Sequence, residues 1–251
     1  MRLARLLIRV YLNGLYRLRH AVKIGPFGPN GARIVATAPT AGDNPLKAAL
    51  YRHHVKQVHE ASCSVATVVT VINAVKSLQG LAGKPIRQHE ILDTVHAAHW
   101  KQRMAPGGHR GRRGLPLQLL GQVVRASFDA YRIPYAAIEA VQMPRRPGAA
   151  PAVQKQLWQR LADFERKGNG LVIAHFDQGA FVPALSLPHI SPVGGFDPAS
   201  GDVIIFDVDP DQQSPYNVTF QTFCRGLASN YHYVFTPFGY GSGGYVYVRL
   251  G

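Results

Sequence analysis

Cysteine is scarce in this chain of 251 residues, which contains Cys63 and Cys224 and no others. Two cysteines are too few for a disulfide framework, so the sequence favours a reducing compartment such as the cytoplasm, although export is not excluded. Acidic residues are also few, with 14 Asp and Glu against 28 Lys and Arg and a formal net charge of +14. That excess predicts an acidic substrate, an anionic membrane surface or nucleic acid as a neighbour.

Part of the positive charge lies in the first 20 residues, where apolar residues alternate with Arg2, Arg5, Arg9, Arg17 and Arg19. Arg9 interrupts the apolar run, which is therefore shorter than the roughly 20 residues that a membrane-spanning helix needs. A signal peptide is disfavoured too, because the small-residue stretch at 36–38 lies too far along. We predict a basic amphipathic helix that lies on a membrane surface or on the protein's own body. Residues 1–40 then form this segment and a linker rich in Gly and Pro, and residues 41–251 form one folded domain.

The pattern changes from helical spacing to short apolar runs along the chain. We predict helices at about 45–58, 63–75, 88–103, 115–127 and 152–166. We predict strands of an antiparallel sheet at 171–176, 189–196, 203–208, 231–237 and 245–250. A helical first half followed by a strand-rich second half indicates an α+β fold.

Cys63 lies where polar sequence gives way to a helix that is apolar nearly all round. Ser62 and Ser64 are residues that can cap the first free backbone N–H groups of such a helix. A thiol in that first turn faces unpaired N–H groups and the positive end of the helix dipole, which favour the thiolate. This placement suits a nucleophile. The alternative is that Cys63 is a packing residue, as buried cysteines often are.

Two other groups of residues point less clearly to chemistry. The loop at 107–114 (GGHRGRRG) lacks the Lys-Ser/Thr ending of a phosphate-binding P-loop, and its basic residues are not interleaved with aromatics. We therefore predict no nucleic-acid binding, and an exposed loop at the mouth of the site that attracts anions. His53, His54 and His59, or His96 and His99, could ligate a metal, but scattered surface histidines are the commoner explanation and we predict no dedicated metal site.

A hairpin between residues 189 and 209 predicts a His–Asp pair. If its turn is centred on Pro198, His189 lies directly opposite Asp207, with Cβ atoms about 5 Å apart. A turn centred on Ala199 would instead place His189 opposite Asp209. Side chains alternate along a strand, so both aspartates share one face. Cysteine, histidine and aspartate then follow in the order of a papain-like catalytic site.

Four motifs carry a resemblance to a known family, the phytochelatin synthases, which are papain-like γ-glutamylcysteine dipeptidyl transpeptidases. They are Gln57-x5-Cys63, VINA at 71–74, HISPVGGF at 189–196 and IFDV at 205–208. The resemblance covers about residues 44–227, and its His-to-Asp spacing selects Asp207 over Asp209. It implies a papain-like fold in which the Cys63 helix packs on the antiparallel sheet of the second half.

The resemblance also implies a role for each residue. Cys63 attacks the peptide bond after the γ-Glu-Cys unit of glutathione, which releases glycine and leaves a thioester. His189 takes the thiol proton and later serves the incoming nucleophile, and Asp207 orients His189. Gln57 helps to hold the oxyanion. The acceptor is water or a second glutathione, often as its heavy-metal thiolate, and acylation needs no cofactor.

This chain departs from the family pattern in three places. After Asp207 the family usually has an Arg, then Lys-Tyr-Pro-Pro and a Trp, where this chain has VDPDQQSPY at 208–216. Ser64-Val65 replace Gly-Leu after the cysteine, and the cysteine-rich C-terminal region of the plant enzymes is absent. The chain therefore resembles a short bacterial-type relative. The alternatives are a papain-like peptidase or amide-forming acyltransferase with another substrate, and a non-enzymatic, membrane-associated protein that uses its basic N-terminus.

Overall fold

The computed structural model describes residues 44–251 except 82, 145–149, 182–186, 213 and 229–242, together with residues 33–34 and five helical positions between 7 and 18. The predicted strand at 231–237 and most of the predicted N-terminal segment lie outside the described residues. Within the described part of the chain, no helix combines the length and the apolar character needed to cross a membrane.

The fold is α+β, as predicted. Its α-helices are α1 (Pro45–His53), α2 (Cys63–Leu78), α3 (Gln88–Thr94), α4 (Trp100–Met104), α5 (Leu117–Ala130), α6 (Pro151–Lys167) and α7 (Phe220–Ala228), and short 3-10 turns span Ala97–His99 and Gln178–Ala180. The strands are β1 (Arg33–Ile34), β2 (Tyr135–Gln142), β3 (Gly170–Asp177), β4 (Pro188–Asp197), β5 (Asp202–Ile205), β6 (Tyr216–Thr219) and β7 (Gly244–Leu250). They pair antiparallel in the order β1-β6-β5-β4-β3-β7-β2.

Several predicted element bounds were wrong. The helix predicted at 88–103 is broken, because Ala98 and His99 adopt positive φ angles of 55° and 53° that an α-helix cannot contain. The helix predicted at 45–58 ends at His53, and the strand predicted at 203–208 ends at Ile205. The pattern also missed β2, β6 and α7.

The sheet separates two apolar cores. On β3, Leu171 and Ile173 pack into the core that contains α2 and α5, whereas Val172 and Ala174 pack into the core that contains α6 and α7. All eight residues of β3 are buried, which explains its continuous apolar sequence.

Helix α2 is the most deeply placed helix of the first half. Every residue from Cys63 to Val75 is buried, so the helix needs no polar face. Thr67 ties it to the sheet, since its Oγ1 donates a hydrogen bond of 2.9 Å to the Ile190 carbonyl of β4. The papain-like arrangement predicted for the Cys63 helix and the antiparallel sheet is therefore present, and it sets the N-terminus of α2 beside β4.

Candidate active site

Cys63 is the first residue of α2 and is 9% exposed. The predicted capping of this helix start by the neighbouring serines was wrong. Ser62 Oγ donates to the His59 carbonyl at 2.9 Å and accepts from the His59 N–H at 3.1 Å, so it makes no cap hydrogen bond to the helix. Ser64 accepts instead from the indole N–H of Trp100 at 3.0 Å. Both serines thus fix the segments that flank Cys63 and leave the positive end of the helix to the thiol.

His189 lies on β4 and contacts both of the other residues predicted to act with it. Its Nε2 is 2.7 Å from Asp207 Oδ1, and Cys63 lies close enough to its ring to help raise the pKa of His189. Because Asp207 occupies Nε2, the nitrogen left for Cys63 is Nδ1. The structure therefore brings together three side chains from the start of a helix, a strand and the segment after the next strand.

The electrostatics of this group favour a charged pair. Burial by itself would lower the pKa of His189, but the Asp207 carboxylate and then the contact with Cys63 raise it to about 10. Burial would likewise raise the pKa of Asp207, but His189 and further hydrogen bonds lower it to about 2. Near neutral pH the histidine is therefore an imidazolium and the aspartate a carboxylate, with a proton on each ring nitrogen.

The hairpin that carries this pair has a register that we did not predict. Asp197 faces Asp202 next to the turn, and a bulge between Val193 and Gly195 then sets Val193 opposite Ile205. Continued along the chain, that pairing would bring His189 opposite Asp209, so the turn predicted around Pro198 was wrong. The strand ends at Ile205, however, and the chain beyond it leaves regular pairing. This departure is what lets His189 bond to Asp207.

Asp209 belongs to the same buried network. Its backbone N–H donates to Asp207 Oδ1 at 2.9 Å. The Gln178 side-chain amide donates to Asp209 Oδ2 at 2.9 Å and to Asp207 Oδ2 at 3.3 Å, and the Tyr216 hydroxyl donates to Asp207 Oδ2 at 2.5 Å. Sequence reasoning missed Gln178 and Tyr216, since neither belongs to a motif that marks it.

Gln57 lies in the segment between α1 and α2. Its backbone N–H donates to the Val208 carbonyl at 2.8 Å, which ties this segment to the residue next to Asp207. Its side-chain Oε1 is buried and has no hydrogen-bond partner in the described part of the chain. Lys56 strengthens the same attachment, because its Nζ donates to the Asp207 carbonyl at 2.6 Å. Gln57 is thus held beside the backbone at Asp207 and Val208.

The remaining candidates are the histidines considered as metal ligands and the second cysteine. Within the described ranges no three His, Cys, Asp or Glu side chains are grouped as metal ligands. His54 packs on the Phe206 ring with centroids 5.4 Å apart, and His99 stacks on His109 at 3.9 Å. Cys224, on α7 in the other core, is buried, and that burial raises its pKa to about 12. A thiol with so high a pKa is a poor nucleophile, so Cys224 is a natural control for Cys63.

The basic loop at 107–114 is attached to the surroundings of the site at both ends. Met104 precedes it and contacts the Ser64 hydroxyl through its sulfur at 3.8 Å. Leu115 follows it, and its carbonyl is hydrogen-bonded to His175 of β3 at 3.0 Å. Arg110 and Arg112 are exposed between these anchors, as the sequence predicted for this loop.

Comparison with known proteins agrees with the motifs. A family model described as phytochelatin synthase matches residues 23–231, a range that includes Gln57, Cys63, His189 and Asp207. No curated protein matches the chain.

Proposed function

This chain belongs to the phytochelatin synthase family, and from that premise we propose that it is a cysteine-nucleophile acyltransferase that removes glycine from glutathione. The family is enzymatic, with glutathione γ-glutamylcysteinyltransferase activity, and uses glutathione as its substrate. In our proposal a γ-Glu-Cys thioester forms on Cys63 and passes to a second glutathione or to water. The observation that supports this most is the contact of Cys63, at the start of α2, with a histidine that is itself bonded to a buried aspartate.

The acylation step follows from the charges in the site. The Cys63 thiolate attacks the carbonyl carbon of the Cys–Gly peptide bond of glutathione, and a tetrahedral intermediate forms with its negative charge on oxygen. The Gln57 side-chain amide and the Cys63 backbone N–H stabilise that oxyanion. His189 gives its Nδ1 proton to the glycine nitrogen, the C–N bond breaks, and glycine leaves as the free amine.

Deacylation reverses the role of the histidine. His189, now neutral at Nδ1, takes a proton from the acceptor, which is water or the α-amino group of a second glutathione. The acceptor attacks the thioester carbonyl, the C–S bond breaks, and the thiolate–imidazolium pair is restored. Asp207 accepts from Nε2 throughout and keeps the ring oriented. A heavy-metal ion enters as part of the substrate, bound to the glutathione thiolate, and the steps assigned to these residues use no cofactor.

The proposal is tested by incubating the purified protein with glutathione. Free glycine is measured by chromatography, and the γ-Glu-Cys adduct is located by mass spectrometry of the intact protein and its peptides. We expect glycine release and an adduct on Cys63 that Cys63→Ser abolishes. Cys224→Ser is the matched control, and it should retain both because Cys224 lies in the other core. Glycine release by the Cys63→Ser protein would contradict the proposal.

A second candidate is acyl transfer or hydrolysis on another amide substrate. It is favoured by the segment 208–216, which differs from the family pattern directly beside the proposed catalytic pair. Under this alternative, glutathione yields neither glycine nor an adduct, while other γ-glutamyl or glycine-containing peptides acylate Cys63. Screening such peptides for the adduct separates the two substrates while testing the same nucleophile.

A further inference from the structure

The carboxylate of Asp207 is held on both of its oxygens. Oδ1 receives His189 Nε2 at 2.7 Å and the Asp209 N–H at 2.9 Å. Oδ2 receives the Tyr216 hydroxyl at 2.5 Å and the Gln178 amide at 3.3 Å. The two bonds to Oδ2 touch neither Cys63 nor any atom that reacts in the proposed mechanism, so they call for a separate explanation.

Tyr216 is built into the sheet more firmly than a surface tyrosine would be. It lies on β6, where it faces Ile205 of β5 and Ile34 of β1, and it is 3% exposed. Burial, and after it the negative charge of Asp207, raises the pKa of the Tyr216 hydroxyl well above its ordinary value. The hydroxyl therefore keeps its proton over the whole working range of pH. Because a carboxylate can only accept, this hydroxyl is a permanent donor to Asp207.

The Gln178 amide is anchored from the other side. It belongs to the short turn after β3, and its backbone N–H donates to the Leu187 carbonyl at 3.0 Å. Its side-chain nitrogen bonds more closely to Asp209 than to Asp207, at 2.9 Å against 3.3 Å. Asp209 is therefore the main hydrogen-bond acceptor of the Gln178 side chain. Gln178 is a weaker donor to Asp207 Oδ2 than Tyr216 is.

We propose that Tyr216 is a positioning residue of this site: its hydroxyl, assisted by the Gln178 amide, fixes the rotation of the Asp207 carboxylate so that Oδ1 stays on His189 and the imidazole stays directed at Cys63. A carboxylate held by one oxygen can rotate about its Cβ–Cγ bond, whose torsion has a broad energy well. Holding the second oxygen removes that freedom. The catalytic meaning of this role rests on the proposed function, but the orientation of the His–Asp pair can be measured without a substrate.

The test uses Tyr216→Phe in the full-length protein, with Tyr245→Phe as the matched control. Both tyrosines are buried on strands, but the Tyr245 hydroxyl is bonded to Arg160 at 3.3 Å and to Gln156 at 3.4 Å, on α6, away from the His–Asp pair. The His189 imidazole is titrated by NMR, with its signals assigned from a His189→Asn sample. The second readout is the alkaline limb of the ratio of Cys63 alkylation rates with iodoacetate and with iodoacetamide, which falls when His189 loses the positive charge that attracts the anionic reagent.

In Tyr216→Phe we expect the His189 pKa and the alkaline limb to move to lower pH by about one unit, which is a tenfold change in the ratio of protonated to neutral imidazole at a given pH. Tyr245→Phe should leave the His189 pKa and the alkaline limb unchanged, even if it lowers the melting temperature as much as Tyr216→Phe does. Should Tyr216→Phe fold poorly, Gln178→Met is the second variant, and it should shift both readouts in the same direction by less. A folded variant of either kind whose His189 titration is unmoved, or moved to higher pH, would overturn the proposal. Neither readout requires glutathione, so these outcomes do not depend on whether the proposed substrate is right.

Discussion

Replacing Asp207 by asparagine would separate the charge of this side chain from its shape. In the folded protein the pKa of His189 is raised to about 10, with Asp207 the main cause that raises it. Without the carboxylate, burial is the largest remaining influence and outweighs the contact with Cys63, so we expect the pKa of His189 to fall below its ordinary value of about 6.5. At about pH 8 the protonated fraction of His189 would then fall from about 99% to about 3% or less. The imidazolium would become at least about thirtyfold rarer.

The shape of asparagine is also a poor match at this position. The oxygen Oδ2 of Asp207 accepts from both Tyr216 and Gln178, and an asparagine that keeps its oxygen toward His189 would place an NH2 group there. The Tyr216 hydroxyl would have to turn and accept, and the Gln178 amide would lose a partner. A buried donor left without a partner costs about 1–3 kcal/mol, so we expect a loss of folding stability of that order.

The assay is the ratio of Cys63 alkylation rates with iodoacetate and with iodoacetamide between about pH 5 and about pH 10, because the His189 imidazolium attracts only the anionic reagent. Asp209→Asn is the matched control, because Asp209 is buried in the same network but its side chain does not bond to His189. In Asp207→Asn the ratio should already be low near pH 8 and should rise only at lower pH, while Asp209→Asn keeps a high ratio near pH 8. If Asp207→Asn retains the wild-type alkaline limb, the charge of Asp207 does not control His189 and the reasoning fails.

Three further predictions follow from the same coordinates. Folding stability should fall as pH rises from about 6.5 through about 10, because folded His189 keeps a proton that the unfolded chain loses. It should also fall as pH drops from about 6.5 towards 4, because burial lowers the pKa of folded His175 to about 4 and the unfolded chain takes up a proton first. A urea midpoint that stays constant from about pH 4 to about pH 10 would contradict both expectations. Gly194→Ala should lower the folding stability by about 1–3 kcal/mol, since the added Cβ would lie 2.2 Å from the Phe206 ring. Gly107→Ala is the control and should leave the stability unchanged, because no atom lies within 4 Å of its added Cβ. Equal melting temperatures of the two variants would refute this comparison. Residues 1–20 should make the protein bind anionic vesicles in preference to neutral ones, since their described apolar side chains are 56–63% exposed. In a flotation assay, a protein that lacks residues 1–20 should show no such preference. Unchanged vesicle binding by the shortened protein would exclude a membrane-binding role for this segment.

The start of α2 and the strands β3 and β4 could be predicted because their patterns are local. A run of apolar residues after Cys63 can be buried only if the helix enters a core, and the short apolar run at 189–196 between turn residues places His189 on a strand. The hairpin pattern narrowed the partner of His189 to Asp207 or Asp209, but geometry alone could not choose between them. The choice depends on a bulge at Val193 and Gly195 and on the end of β5 at Ile205, and neither leaves a clear mark in the sequence.

Other parts of the site lay beyond sequence reasoning for a different reason. Tyr216 and Gln178 reach Asp207 only because the strand order sets β6, β5 and β4 side by side with β3. A tyrosine or a glutamine does not by itself predict a hydrogen bond to a catalytic carboxylate, because most residues of these two types make other contacts. The break at Ala98 and His99 was hidden as well, because the residues around it keep helical spacing while the backbone turns left-handed.

The charges around Asp207 link two parts of the site that would otherwise be independent. Asp207 is a buried carboxylate with a second buried acidic side chain, Asp209, beside it, and a buried negative charge needs partners. Lys56 is one such partner: burial lowers its pKa, while Asp207 and then Asp209 act in the opposite direction and favour its charged form. Lys56 adjoins Gln57, and its ammonium group donates to the Asp207 carbonyl. The segment proposed to bind the oxyanion is therefore attached to the backbone on either side of the Asp207 side chain, and the charge of Asp207 favours the ammonium form of Lys56 that makes part of this attachment.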